Sequence, residues 1–132
     1  MGLKIKDGFS YEDKYGNIYT EAYARVLICN LGDKKCRFDL AIYKDKAARD
    51  ADALPVGDRV FVVIEPEYSQ FFNNGIFEEA GKTPKSQSYE YIKQHKIIIG
   101  QEEQEVEVDG ETEMTLVDVT ELEFKNWEDY QE

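Results

Sequence analysis

The chain has 132 residues, 42% hydrophobic and 13% aromatic, which is enough apolar material for one domain with its own core and too much for a disordered chain. Its 16 Lys and Arg face 28 Asp and Glu, a net charge of -12, and such a field repels phosphate backbones and anionic membrane surfaces. No nucleic-acid or membrane partner is expected, and the lack of a signal-like or membrane-spanning apolar run points to a cytosol-like compartment.

Over residues 11–20, short β-prone pieces flank a Tyr15-Gly16-Asn17 turn. Residues 21–31 predict the first long strand, answered after a turn by residues 35–43. In the second of these, Cys36, Phe38, Leu40 and Ile42 alternate with Arg37, Asp39, Ala41 and Tyr43, the period of a half-buried strand. Cys29 and Cys36 flank that turn. A two-residue loop at Gly32-Asp33 places them opposite each other and a three-residue loop offsets them; in a reducing compartment both are expected as free, mostly buried thiols. Residues 44–52 suit a short helix or ordered surface loop, ended by Leu54-Pro55-Val56-Gly57-Asp58. The nearly continuous apolar run 59–66 predicts a strand covered on both faces, at the centre of the core.

Residues 68–77 predict a helical turn or a loop closed by Asn73-Asn74-Gly75. A helix follows over 85–95, capped by Ser86 or Ser88, with Tyr89 and Ile92 on one face. Residues 96–100 read as a short strand or as the staple closing that helix. From 101 to 113 come seven acids and no base, and Asp109-Gly110 signals a type I′ turn. The segment 101–117 is therefore expected to form an extended acidic hairpin that needs a partner for order, because a lone two-stranded ribbon is marginal in water. Residues 114–124 should rejoin the main sheet, leaving 125–132 as a C-terminal tail. The expected fold is a single α+β domain over 1–132, mainly antiparallel β-sheet of sandwich or barrel type, with one packed helix and a projecting acidic β-hairpin.

The residues offer little chemistry. His95 is the sole histidine, and Cys29 and Cys36 lack the spacing and second ligand pair of a zinc site. The carboxylates lie in polar runs that read as solvated faces, and they lack the spacing of a helix-loop-helix calcium site. Glycine-rich phosphate loops and Gly-x-Ser-x-Gly are absent. No catalytic residue, metal, cofactor or small-molecule substrate is expected, so the chain reads as a non-enzyme acting through surfaces. Candidate protein-interface residues are Tyr68, Asp109, Gly110, Trp127 and Tyr130, with packing against the core as the competing role for the aromatics.

Several pieces carry a resemblance. Glu21-Ala22-Tyr23-Ala24-Arg25-Val26 leads into a Gly-Asp-Lys hairpin, followed by the run from Phe38 through Asp50, a proline at Pro55, an aromatic strand, and Ser88-Tyr89-Glu90-Tyr91-Ile92-Lys93. This order, over somewhat more than half the chain, resembles small structural proteins of tailed bacteriophages from the neck, tail and baseplate region. The acidic segment after Gly100 departs from that pattern. The resemblance implies a virion component, assembled in the host cytoplasm, whose partners are other virion proteins and further copies of itself. The alternative is a soluble acidic binding protein that mimics a polyanion such as DNA and captures a basic partner.

Overall fold

The computed structural model describes residues 2–130, and of Ile28 only the backbone. In chain order the elements are β1 (Gly2–Ile5), β2 (Tyr11–Glu12), β3 (Ile18–Tyr19), β4 (Tyr23–Gly32), β5 (Lys35–Tyr43), α1 (Lys46–Asp50), β6 (Gly57–Ile64), α2 (Glu67–Phe72), α3 (Asn74–Phe77), α4 (Pro84–Gln94), β7 (Lys96–Val108), β8 (Glu111–Leu122) and β9 (Trp127–Tyr130). Strand takes 49% of the chain against 20% for helix, so the fold is α+β and mainly antiparallel β. The chain divides into two compact units, one formed by Met1–Tyr91 with Asn126–Glu132 and the other by Ile92–Lys125.

The first unit holds a five-stranded sheet in the order β6-β5-β4-β1-β9, open at β6 and β9 and not closed into a barrel. Its inner face is set by alternation. Cys36, Phe38, Leu40 and Ile42 on β5, Ala24 and Val26 on β4, and Phe61 and Val63 on β6 are all buried. Phe38 stacks on Phe61 with ring centroids 5.0 Å apart, and Tyr91 of α4 meets both rings edge-on at 6.0 and 6.1 Å. Phe72 of α2 closes the same cluster, 6.4 Å from Phe38.

A bulge between Val26 and Ile28 breaks the β4–β5 register. Beside it the buried hydroxyl of Tyr89 accepts a hydrogen bond from the Val26 N–H at 2.8 Å, tying α4 to the sheet. The start of α4 differs from the expected Ser86 or Ser88 cap. Thr83 Oγ1 accepts from the Ser86 N–H at 3.1 Å while Ser86 Oγ accepts from the Thr83 N–H at 2.8 Å. The reciprocal pair works because Pro84, in the first helical position, has no N–H to satisfy. Ser88 lies inside the helix and donates to the Pro84 carbonyl at 2.8 Å.

Three strand expectations change. The run 59–66 is not covered on both faces: β6 is an edge strand whose Phe61 and Val63 point into the core while Val60, Val62 and Ile64 are exposed. Residues 114–124 do not rejoin the main sheet: among the described residues β8 pairs with β7 alone. The expected tail joins it instead, with Trp127–Tyr130 as β9 paired antiparallel to β1. There Tyr130 packs edge-on against Tyr23 at 5.7 Å. Glycine is required at position 2, since a Cβ would sit 2.3 Å from the Tyr23 hydroxyl.

The second unit is essentially the β7–β8 ribbon, paired from Lys96↔Leu122 to Val108↔Glu111 around an Asp109-Gly110 turn. Both turn residues have positive φ, 53° and 80°, as a type I′ turn requires. Residues 96–100 are thus the base of one long strand, and the hairpin is longer than the expected 101–117. At the base, the Glu123 N–H donates to the His95 carbonyl at 3.0 Å, and the Glu123 carboxylate lies 3.3 Å from His95 Nε2.

Candidate functional site

Two exposed surfaces stand out, one in each unit. The ribbon carries nine carboxylates and one lysine between positions 96 and 122, so most of the net charge of -12 resides there. Every residue of β7 is exposed, and the exposed set includes Ile98, Ile99, Val106, Val108, Met114 and Leu116. The register explains how so much like charge is tolerated. Glu102 faces Val117, Glu103 faces Leu116, Glu105 faces Met114, Val106 faces Glu113 and Val108 faces Glu111. No carboxylate lies directly opposite another, which avoids the worst like-charge placement in a two-stranded ladder. The cost is that apolar residues are interleaved with acids on both faces, so neither face can bury a continuous row.

The second surface is the β6 edge. Its pairing with β5 runs without a register shift from Ile42↔Gly57 to Lys35↔Ile64. From Val60 to Ile64 it has no charge, proline or bulge, the devices that normally blunt a sheet edge. At the opposite end of the sheet, β9 is only four residues long and carries Glu128 and Asp129. After β6, α2 turns back across the sheet, where Tyr68 donates to the Gly32 carbonyl at 3.3 Å and lies tilted against Phe72, ring centroids 6.1 Å apart.

These placements separate the five candidate residues. Asp109 and Gly110 form the exposed ribbon tip. Tyr68, Trp127 and Tyr130 are half-buried and used internally: Trp127 lies edge-on to Tyr11 at 6.2 Å, and Tyr130 packs on the buried group of Tyr23, Ala41 and Tyr43. Tyr130 and Trp127 share β9 while Tyr68 sits on α2. The row of Val60, Val62 and Ile64 went unmarked in the sequence because an apolar run reads the same in an edge strand as in a doubly covered one. Pro66, two residues past the end of β6, was the available signal, since proline is tolerated at edges.

The cysteines form a third cluster. The hairpin loop is Asp33-Lys34, with Lys34 at φ 55°, so Cys36 pairs with Leu31 and Cys29 with Phe38. The expected Gly32-Asp33 loop is displaced by one residue, and the thiols are diagonal neighbours, 3.5 Å apart. Diagonal Cα atoms in a ladder are about 7–8 Å apart, beyond the usual reach of a disulfide, and both thiols are free. Ser88 Oγ, which donates to the Pro84 carbonyl, lies 3.5 Å from Cys29 Sγ. The hydrogen bond from Cys36 pulls the Cys29 thiol down to about 6 against the effect of burial, and the same contact together with burial pushes Cys36 well above its ordinary value.

A cleft of about 670 Å³ is lined by Tyr11, Asp13, Tyr15, Pro55 and Asp58 among others. Its buried carboxylate is fully engaged: Asp13 accepts from the N–H groups of Tyr15 and Asn17 at 2.9 Å each, and from Asn17 Nδ2 and the Tyr19 hydroxyl at 3.1 Å each. Burial raises its pKa, but these hydrogen bonds outweigh it and hold the group below the usual carboxylate range. Asp13 is therefore a turn staple, ionised and without a free lone pair aimed into the cleft. Among the described residues, no group of three or more His, Cys, Asp or Glu is placed to hold a metal ion. Comparison with protein-family models, with curated proteins and with solved structures finds no match for this chain.

Proposed function

We propose that this chain is a structural building block of a tailed-bacteriophage virion, in a neck, tail or baseplate ring, acting through subunit-subunit interfaces with copies of itself and with other virion proteins. The observation that carries the reading is the ribbon: twelve cross-strand pairs with apolar side chains exposed on both faces and no core of its own. A two-stranded ribbon of this kind gains order from what it docks against. The resemblance in element order over somewhat more than half of the chain supplies the virion context.

The test is the mass of the full chain in solution, beside a variant in which residues 103–116 are replaced by Asn-Gly. That variant keeps Glu102 opposite Val117, so the ribbon base stays in register. The full chain is expected to be a multimer by light scattering and the shortened one a smaller species with an unchanged melting profile of the sheet unit. An unchanged oligomer would remove the ribbon from the interface. A second reading rests on the same carboxylates: an acidic mimic that captures a basic nucleic-acid-binding protein. It predicts a monomer whose capture of such a protein is lost when the ribbon is shortened.

A further inference from the structure

We propose that two copies of this chain join through β6, edge to edge and antiparallel about a two-fold axis at Val62, making one continuous sheet from two. The inference rests on the reading of the chain as a self-assembling building block and names a contact separate from the ribbon.

Three observations lead to it. First, β6 ends the sheet, and among the described residues no strand pairs with its far side. Second, that edge is flat and uncharged over Val60-Phe61-Val62-Val63-Ile64, with Val60, Val62 and Ile64 39%, 49% and 59% exposed. An edge of this composition is a template for another strand, and stable proteins cover it. Third, the flanking residues are self-complementary in one register. With Val62 opposite Val62 of the second copy, Val60 faces Ile64 on the outer side and Phe61 faces Val63 on the inner side. Arg59 then faces Glu65 twice, once at each end.

Shifting the pair by two residues either way sets a charged side chain against an apolar one. A register centred on Phe61 keeps the apolar rungs but places Asp58 against Ile64 and leaves Arg59 against Val63. Shifts that pair odd with even positions would set core-facing side chains against outward ones. Charge and pleat therefore select the Val62 register. Tyr68 ties α2 to the carbonyl of Gly32 on β4. A two-fold contact of this kind is closed, so it produces a dimer and does not propagate into a fibre.

Sedimentation of the full chain tests the idea, using three variants at exposed or partly exposed positions. Val62→Lys brings two ammonium groups together on the axis and is expected to weaken the dimer at least about a hundredfold, with the monomer's melting profile unchanged. Arg59→Glu is expected to weaken it about tenfold, and Arg59→Glu combined with Glu65→Arg to restore it, a signature that only this register produces. If Val62→Lys leaves the mass unchanged while shortening the ribbon reduces it, the β6 contact is refuted and the building-block reading stands. If Val62→Lys reduces the mass but the double exchange does not restore it, the register is refuted. A wild-type chain that remains monomeric at every concentration overturns both.

Discussion

The sheet and the ribbon are built from the same kind of sequence, alternating apolar and polar residues in antiparallel pairs, yet only the sheet has a buried face. In the sheet the apolar positions of neighbouring strands fall on the same side, so Phe38 meets Phe61 and Cys36 meets Val63 across β5 and β6. In the ribbon the two alternations are out of phase, and Val106 meets Glu113 as Glu105 meets Met114. Burial in a sheet depends on how periods match across strands as well as on the period within one. The first arrangement makes a core; the second spaces like charges apart and leaves the apolar side chains for a partner.

Four substitutions would sharpen or break that contrast. The largest effect is expected from Phe38→Ala, which empties the centre of the aromatic cluster and should cost about 3–5 kcal/mol in chemical denaturation. The matching ribbon change, Leu116→Ala, should cost about 0.5 kcal/mol or less in the unassembled chain, since Leu116 is 62% exposed. Comparable losses at the two positions would mean that the ribbon has a core after all. Next, Tyr89→Phe leaves the Val26 N–H beside the β4 bulge without its hydroxyl partner and is expected to cost about 1–3 kcal/mol. Faster hydrogen exchange at the Val26 amide would locate the loss, whereas unchanged exchange there would show that the bond does not support the bulge.

A smaller effect, about 1 kcal/mol, is expected from Gly110→Ala, because an alanine must then adopt φ near 80° in the ribbon turn. It should appear as fraying of the pairs next to the tip in amide exchange, with the sheet unit untouched. Loss of protection in both units would mean that they do not open independently.

Much of the hairpin was legible in the sequence. The alternation from Cys36 to Ile42 placed β5 and its inner face, and Asp109-Gly110 placed the ribbon turn, because both rest on local rules of pleat and turn geometry. The roles of the later strands were not legible. Met114 to Leu122 and Trp127 to Tyr130 are equally suited to joining a sheet, and which one does so depends on a partner strand, β7 or β1, distant from them in different degrees along the chain. Tyr68, Trp127 and Tyr130 stand out in the sequence by their place near loops and the terminus; the rings they meet, Phe72, Tyr11 and Tyr23, are brought to them only by folding.

The sequence by itself determined the acidic charge, the mainly antiparallel β character and the strand period, since composition and alternation act residue by residue. Only the tertiary structure decided that β6 is an edge with one face exposed, that the cysteines are diagonal, and that the acids of the ribbon face apolar residues. Each of these depends on which strand lies alongside and in what register, a property of pairs of segments that neither segment carries alone.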